Sequence, residues 1–577
     1  MGEQAGDLTV IRGARVYDGT GTEGITQDVA IKDGLFHAIG EKLEIKGDKE
    51  IDANGLWLTP GFVDIHTHYD AEIEADPGLK ESVRHGVTTV VMGNCSLSLA
   101  LGGKEALIDI FSRVENLSKK VLSKWLEKGI SWTTPKQYYQ HLDSLPLGPN
   151  VASFLGHSNL RIHAMGPKRS LMRVRPTEKE MQIMRSHLEE ALEEGYLGLS
   201  IDMLPWHRME GRKYGGVSIP SQRARHREYA DLASICREKG AILQATPNAN
   251  EKQSVVYLMF MSAGLFRRPL KLTALAALDF ASNRMFPVLT RVVSFVTNRL
   301  LAGNFRFQAL SGPFEVWCDG FRTPVFEEFE AGERLMTEDR LERRRALLSS
   351  PKFREKFRKQ WVSPFNRSFH RDLAKMWVTE APDSSFVGKS FKEIASMKKK
   401  EPIECFLDLL LEYDDKIRWH TVLANDRPSV LRKILKAPYN IPGFSDAGAH
   451  NRNMAFQHAH LRLIKDAMEH DDGLSVPEAI SSVTGKVGAW LGLDCGTVKV
   501  GKKADLCLLD PEKLKTDLSR PKEVNDPLLE GEMRMVVESG GVVNKVFVSG
   551  REVFDKGAFA GFYGKEKVGA LLRASRR

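Results

Sequence analysis

Two histidines separated by one residue, His66 and His68, follow an apolar run that is typical of a buried strand. Side chains alternate between the two faces of a strand, so a His-x-His pair at a strand end directs both imidazoles to the same side. Two neutral imidazoles that converge on one point are suitable ligands for a zinc-like ion. The alternative interpretation is a pair of polar residues in a turn, and the rest of the chain decides between the two.

The elements that position this pair can be predicted from the pattern of the chain. Between residues 61 and 495, apolar strand-like runs alternate with helical segments, as in parallel β–α units. Eight such units that close on themselves form a (β/α)8 barrel. The eight predicted strands are GFVDIHTH (61–68), VTTVVMGNC (87–95), VASFLGHSNLR (151–161), GYLGLSIDM (195–203), AILQATPN (241–248), FRFQALSG (305–312), RWHTVLAN (418–425) and YNIPGFSDAGAH (439–450).

Other polar residues fall at the carboxyl ends of these runs, where such barrels carry their active sites. Cys95 ends the second run, His157 the third and Asp446 the eighth. Because closure makes the eighth strand a neighbour of the first, we expect Asp446 beside the histidine pair. The predicted site therefore combines two imidazoles and a carboxylate. Cys95 is expected there as a further ligand, with an inert buried thiol as the alternative.

Both ends of the chain contain short strand-like segments, and Asp33-Gly34 supplies a hairpin turn between two of them. Neither end has enough strands for a stable sheet of its own. We therefore predict one small β-domain made from residues 1–60 and 496–560. It would enclose the barrel of residues 61–495. Residues 561–577 form a tail whose basic end, RASRR, is predicted to be mobile.

Six segments, taken in order along the chain, resemble the amidohydrolase superfamily and in particular its N-acyl-D-amino acid deacylases (D-aminoacylases). These segments are PGFVDIHTHYDAE, GVTTVVMGNCSLSLA, FLGHSNLRIHAMG, GYLGLSID, GFSDAGAH and GTVKVGKKADLCLLD. The resemblance implies a metal-dependent (β/α)8 barrel with a β-sandwich built from both termini. It also implies hydrolysis of the amide bond of an N-acylated amino acid.

The resemblance also assigns roles to individual residues. His66 and His68 match the His-x-His metal ligands. Cys95 matches the cysteine that takes the metal-bridging role filled elsewhere by a carboxylated lysine, and Asp446 matches the aspartate that is a metal ligand and the general base and acid. His157 and Arg161 match the GHSTLR-type stretch of the family and are predicted to contact substrate, with a structural role for His157 as the alternative.

One departure from the family concerns the metal site. D-aminoacylases carry further metal-binding histidines at the ends of strands five and six, whereas Thr246 and the neighbourhood of Leu310 stand at the predicted positions here. Three explanations are open. One divalent metal, of which zinc is expected, is held by His66, His68, Asp446 and Cys95; His420 on run seven supplies a replacement ligand; or the barrel has no hydrolase activity. We favour about one metal per chain, because hydrolysis needs only one metal with an open coordination position.

Composition indicates an ordinary globular protein. Hydrophobic residues make up 42% of the chain and charged residues 27%, and the net charge of +8 does not imply nucleic acid as a partner. The start of the chain lacks the basic and apolar regions of a signal peptide, and no apolar stretch reaches the ~20 residues of a spanning helix. Six scattered cysteines without CxxC spacing indicate a reducing compartment. The predicted location is cytoplasmic.

Two long segments are predicted to be helical additions to the barrel. Residues 323–417 mix charges at helical spacing and are expected to cover the barrel mouth. Residues 254–303 are basic and apolar, with six cations and the single acid Asp279. Their apolar helical face is interpreted as packing on the barrel core, or else as a contact with a membrane surface or another subunit.

The sequence therefore predicts a metal-dependent hydrolase of an N-acyl amino acid, either a D-amino acid or one with a lipophilic acyl group. A hydrolase of a cyclic amide or lactone is the alternative activity on the same scaffold. A barrel that binds a ligand without catalysis is the alternative outside the enzymes.

Overall fold

The chain folds as a (β/α)8 barrel with a β-sheet domain built from both termini, which confirms the predicted fold class. The computed structural model describes residues 8–248, 252–365 and 367–576. Residues 1–7 and 577, which the predicted domain bounds include, lie outside this range. The domain bounds themselves stay a prediction.

Eight parallel strands form the barrel, and each is hydrogen-bonded to the next along the chain. Strand three is interrupted at Phe154, so that its first part pairs with strand two and its second part with strand four. A parallel bridge between Thr67 and Ala447 joins the loops after strands one and eight. The barrel strands are Phe62–Asp64, Val87–Met92, Asn150–Ser153 with Leu155–Gly156, Gly198–Asp202, Ile242–Thr246, Lys271–Ala274, Asn304–Ala309 and Asn440–Pro442.

The assignment of strands six and seven from the sequence was wrong. Strand six is the short Lys271–Ala274, which lies inside the segment predicted as a helical insertion, and the run predicted as strand six is strand seven. The run predicted as strand seven, Arg418–Ala424, lies outside the barrel and pairs antiparallel with Phe314–Asp319 and Trp377–Glu380. An apolar strand pattern does not reveal which partner completes its hydrogen bonds, and a four-residue strand carries almost no pattern.

Helices surround the barrel as the alternating pattern predicts. The segment predicted as helical from residue 177 is the helix Glu178–Glu193, which begins with a capping box between Thr177 and Glu180. The barrel helices are Lys80–Val83, Lys104–Val114, Lys119–Trp125, Pro135–Ser144, His157–Ser170, Glu178–Glu193, Pro220–Arg223, His226–Lys239, Lys252–Ser262, Phe286–Phe295 with its π-helical extension Val296–Leu300, Pro428–Leu435, Ala459–Glu469, Val476–Ser482 and Gly485–Leu491.

An insertion between barrel strands seven and eight covers the barrel. It consists of the three-stranded sheet described above and a set of helices. The charged pattern of this region predicts the helices but not the sheet. Its apolar core is continuous with the interior of the barrel at Val63, Val91 and Phe154, so the insertion is packed on the barrel. The insertion helices are Pro324–Glu327, Glu330–Thr337, Leu341–Ser349, Pro351–Val362, Phe391–Met397 and Pro402–Tyr413.

The terminal domain is a nine-stranded sheet that contains strands from both ends of the chain. The predicted hairpin is present, and Asp33 and Gly34 adopt positive φ angles of 53° and 78°, as a type I′ turn requires. The strands of this sheet are Thr9–Val16, Ile25–Lys32, Leu35–Gly40, Lys49–Asp52, Trp57–Pro60, Leu506–Leu509, Val543–Val548, Arg551–Asp555 and Ala558–Phe559. A separate helix, Pro511–Thr516, and a two-stranded ribbon, Lys522–Asn525 with Met533–Val536, follow the sixth of these strands.

The prediction of a mobile carboxyl end was wrong for the described part of the tail. Leu571 forms a parallel bridge with Val151 of barrel strand three. The Arg576 guanidinium donates hydrogen bonds to the carbonyls of Leu192 and Tyr196. The described end of the tail is therefore held on the barrel by hydrogen bonds to barrel backbone carbonyls.

Candidate metal and active site

The loops that close the barrel bring Asp446 to the histidine pair. Beyond strand one, the His68 amide donates to the Ala447 carbonyl at 2.7 Å, and the Asp446 amide donates to the His66 carbonyl at 3.0 Å. These two bonds lie at the parallel bridge between Thr67 and Ala447 in the loops after strands one and eight. The neighbourhood expected from barrel closure is therefore present.

His66, His68 and Cys95 converge on one point, as the sequence predicts. One ligand atom from each of the three buried side chains lies within 4.8 Å of the other two. Cys95 Sγ is 3.3 Å from His66 Nε2. Asp446 Oδ1 lies 3.6 Å from His66 Nε2 and 3.3 Å from His68 Nε2. The four predicted residues thus present nitrogen, sulfur and oxygen atoms to a common space.

The remaining ring nitrogen of each histidine faces an oxygen from another element. His66 Nδ1 is 2.7 Å from Gln308 Oε1 on barrel strand seven. His68 Nδ1 is 3.2 Å from Glu115 Oε1, at the end of the helix Lys104–Val114. Gln308 Oε1 accepts a hydrogen bond from His66 Nδ1 and so leaves the lone pair of Nε2 for a metal, which is the usual arrangement of metal-binding histidines, whereas Glu115 faces His68 as a nearby charge. The sequence analysis identified neither Gln308 nor Glu115.

The electrostatics of the cluster favour a positive charge between its carboxylates. Burial lowers the pKa of His66 to about 3, so this ring is neutral. Burial alone would lower the pKa of His68 too, but Glu115, Asp446 and Cys95 outweigh it and raise that pKa. Likewise, burial would raise the pKa of Asp446, but the hydrogen bond and charge of His68 hold it well below its ordinary value.

Backbone strain occurs at the residues of this site. Cys95 and Asp446 adopt left-handed conformations, with φ of 50° and 57°, and so do Ser96 and His450. Non-glycine residues take up such conformations at a cost, and they cluster at sites where side-chain position matters. At Cys95 the conformation is supported by a hydrogen bond of 2.9 Å from its amide to Gln244 Oε1 on barrel strand five.

These residues fit a divalent metal. Two imidazole nitrogens and a thiol with a nearby carboxylate are the ligand types that zinc prefers. Burial raises the pKa of the Cys95 thiol to about 11, and a bound cation reverses this effect because it deprotonates a coordinating thiol. The donor set thus supports a divalent metal.

The histidines of a second metal set are absent at the ends of strands five and six. Strand five ends at Thr246, whose hydroxyl donates to Cys95 Sγ at 3.2 Å. The true strand six ends at Ala274 and is followed by Leu275, so the predicted position near Leu310 was wrong. The prediction that strand six ends without a histidine still holds. His420 stacks beside Trp317 at 4.6 Å, 3.9 Å from Glu315, and does not line the cavity described below.

His157 and Arg161 lie away from this site. Both are fully buried in the helix that follows strand three, and both face Glu228, at 3.2 Å and 2.8 Å. Neither lines the cavity. The geometry therefore favours the structural alternative, in which a buried ion-pair cluster fastens this helix. The predicted substrate contact lacks geometric support.

His68, Cys95 and Asp446 line a cavity of about 1110 Å³. Its walls come from the barrel loops and the insertion, and they combine aromatic and other apolar side chains with many charged ones, such as Arg113, Glu327 and Arg452. Aromatic rings follow one another along it, with centroid separations of 5.1 Å between Trp206 and Phe369, 6.0 Å between Phe369 and Phe314, and 5.7 Å between Phe314 and Phe456. Phe444 adjoins the ring of His66 at 5.7 Å. An apolar group in this cavity can therefore contact several of these rings.

Two histidines that the sequence analysis did not single out also line the cavity. His207 pairs with Asp202, at the end of barrel strand four, with Nδ1 and Oδ2 2.5 Å apart. His450 lies four residues after Asp446, and burial lowers its pKa to about 4. His450 is part of the GFSDAGAH segment, so its place in that motif was the available signal. His207 follows a loop that gives no such signal.

Comparison with known proteins agrees with this description. A sequence model described as "Amidohydrolase family" matches residues 49–213. A Mycobacterium tuberculosis protein described as uncharacterized is 39% identical over 98% of this chain and 95% of its own length. The N-acyl-D-aspartate deacylase of Alcaligenes xylosoxydans xylosoxydans is 30% identical over 43% of this chain and 45% of its own length.

Solved structures share the fold over the whole chain. An N-acyl-D-glutamate deacylase from Bordetella bronchiseptica, solved with zinc and a phosphonate inhibitor, has a TM-score of 0.62 and 20% identity, covering 99% of this chain and 100% of that one. A D-aminoacylase studied for its binuclear metal centre, with one-metal activation and second-metal attenuation, has a TM-score of 0.61 and 20% identity over 98% and 99% of the two chains. At this identity the likeness shows the fold.

Proposed function

We propose that this chain, a member of the amidohydrolase superfamily, cleaves N-acyl amino acids with a lipophilic acyl group. The premise is that it is a hydrolase of amide carbon–nitrogen bonds similar to D-aminoacylases. We further propose that it uses one divalent metal, zinc by its donor set. The observation that carries the proposal is the His66–His68–Cys95 cluster, with Asp446 beside it, next to a cavity that several aromatic rings line.

The proposed metal ligands are His66, His68 and Cys95, and Asp446 lies beside them as the proposed proton carrier. When bound there, a divalent metal supplies Lewis acidity to the scissile carbonyl and lowers the pKa of the attacking water. Gln308 and Glu115 hold the two imidazoles in the orientation that exposes Nε2. One ligand position is then available to substrate and water, as catalysis requires.

Asp446 is the proposed carrier of the proton. An aspartate carboxylate is ionised at neutral pH, so Asp446 can accept a proton from the attacking water at Oδ. The water oxygen forms a bond to the acyl carbon, and the carbon–nitrogen bond breaks. Asp446 then returns the proton to the leaving nitrogen. The products are a carboxylic acid and an amino acid, and Asp446 is left ready for another cycle.

The aromatic walls support a lipophilic acyl group. Trp206, Phe280, Phe314, Phe369 and Phe456 all line the cavity, and burial of apolar surface contributes about 25 cal/mol per Å². A short acetyl group would leave most of this surface without a partner. We therefore expect kcat/KM to rise with acyl length until the cavity is filled.

Metal analysis and a substrate panel test the proposal. Purified protein should contain one equivalent of metal, and His68→Asn should contain none. His420→Asn is the matched control, since His420 lies outside the cavity, and it should keep the metal. Chelation should abolish hydrolysis of N-dodecanoyl and N-octanoyl amino acids, and added zinc should restore it. Two equivalents of metal would contradict the one-metal proposal, and a metal-loaded protein that hydrolyses none of the D- and L-acyl amino acids would contradict the substrate class.

A further inference from the structure

One outer surface of the barrel is strongly apolar. It is formed by the helix Lys252–Ser262, the loop that follows it, and the helix Phe286–Phe295 with its extension Val296–Leu300, and we call it the apolar outer face. Phe266 is 99% exposed and Met285 67%. Nine of the twenty exposed large apolar side chains of the described chain lie here, namely Val256, Phe260, Leu265, Phe266, Met285, Val288, Val292, Phe295 and Leu300.

The helix Phe286–Phe295 presents its apolar side outward, which is opposite to the packing favoured by the sequence analysis. Its extension contributes Asn298, whose side-chain amide donates to the Phe305 carbonyl and whose oxygen accepts from the Phe305 amide, both at 2.8 Å, on barrel strand seven. Thr290 and Thr297 are buried, and their hydroxyls donate to the helix carbonyls of Pro287 and Val293. The side chain of Asn298 thus connects this helical segment to the barrel, Val293 is buried on the inner side, and Val288, Val292 and Phe295 lie in solvent.

The charges of this face are positive. Arg267, Arg268, Arg291 and Arg299 are exposed on or between the two helices. The one acid of residues 254–303, Asp279, is buried and accepts hydrogen bonds from Arg427 at 2.7 Å and from Arg284 at 3.2 Å. A contiguous apolar surface of this kind marks an interaction site. Its combination with guanidinium groups is typical of elements that lie in the interface of an anionic membrane.

We infer that the apolar outer face docks on an anionic phospholipid membrane as a peripheral contact. Charge complementarity decides the occupant. A two-fold contact with a second copy would place these four arginines against the same four, without acids from the face to compensate them. Lipid phosphates accept hydrogen bonds from guanidinium groups while the phenylalanine side chains enter the acyl boundary. None of the helices in the described chain has the length and hydropathy to span a membrane, so the contact is with the surface.

The face adjoins the wall of the cavity. Phe280, which lines the cavity, packs against Phe286 at the start of the second helix with ring centroids 5.1 Å apart. A docked molecule would therefore hold this side of the barrel close to lipid. The inference stands on the exposed residues alone and does not depend on the proposed substrate.

Co-sedimentation of the full-length protein with vesicles tests the inference. We expect binding to phosphatidylglycerol/phosphatidylcholine vesicles, much weaker binding to phosphatidylcholine alone, and loss of binding as salt rises. Arg291→Gln with Arg299→Gln should weaken binding about 25-fold, since each cation near an anionic leaflet contributes about a five-fold factor. Val292→Ser with Phe295→Ser should weaken it at both low and high salt.

The matched control is Val500→Ser, which removes a side chain of similar exposure, 54% against 53% for Val292, from the terminal domain. It should bind vesicles like the parent protein, and circular dichroism should show all variants folded. Equal, negligible sedimentation of parent and variants with anionic vesicles would overturn the inference. So would a dimer in sedimentation velocity that dissociates in Val292→Ser with Phe295→Ser while vesicles have no effect, because the face would then be covered by a second copy.

Discussion

Glu115 offers a direct test of how the metal site is organised, because its carboxylate faces His68 and not the proposed metal ligand atoms. Glu115→Gln keeps the shape of the side chain and an oxygen acceptor, but it removes the negative charge. Full unit charges at the observed 3.2 Å would interact by about 5 kcal/mol at an effective dielectric constant of about 20. A metal-bound imidazole carries only part of a unit charge, and the glutamine oxygen still faces its Nδ1. The expected loss is therefore about 1.4–2.7 kcal/mol, a 10- to 100-fold fall in metal affinity.

Competition between the protein and a chromophoric zinc chelator measures this change, at a pH where the carboxylate is ionised. Activity should fall in parallel and should recover when the zinc concentration is raised, because the ligands themselves are intact. Glu210→Gln is the control, since Glu210 also lines the cavity but does not contact the histidines. If Glu115→Gln bound zinc as tightly as the parent protein, the carboxylate would not orient His68 and the proposed arrangement would be refuted.

Three further predictions follow from other parts of the structure. Asp446→Asn should bind metal and keep its thermal unfolding temperature while kcat falls at least about 10²-fold; near-normal turnover would remove Asp446 from the proton transfers. Phe314→Ala should lower kcat/KM for N-octanoyl substrates about 10-fold through lost apolar contact, and leave N-acetyl substrates within about two-fold; an equal loss for both would show that this wall does not contact the acyl group. Three buried histidines, His85, His458 and His460, stay neutral in the folded protein. Burial lowers the pKa of His85 to about 3 and that of His460 to about 4, and it also lowers the pKa of His458. The unfolded chain binds protons below pH ~6.5, so stability should fall as pH decreases from there, by about 2 kcal/mol per histidine at pH 5; chemical unfolding at pH 7.5 and pH 5 measures this, and a free energy of unfolding independent of pH would contradict it.

Local spacing was enough to predict which four side chains converge at the candidate site. His66 and His68 follow a strand, so their common direction is a property of the strand itself. Asp446 and Cys95 end other predicted strands, and barrel closure brings strand ends together whatever the loops between them do. The turn at Asp33-Gly34 and the helix that begins after Thr177 could likewise be predicted, because each depends on residues within a few positions of one another.

Tertiary structure decided what depends on distant partners. Strand six could not be recognised, because its four residues form a strand only by pairing with strands five and seven. Arg418–Ala424 was assigned to the barrel because its own pattern does not show that its partners lie in the insertion. Gln308 lies 242 residues from the histidine that it orients. The outward direction of Val288, Val292 and Phe295 was set by the hydrogen bonds of Asn298 to strand seven. Periodicity shows that a helix has two faces, but only the packing of the whole barrel determines which one meets solvent.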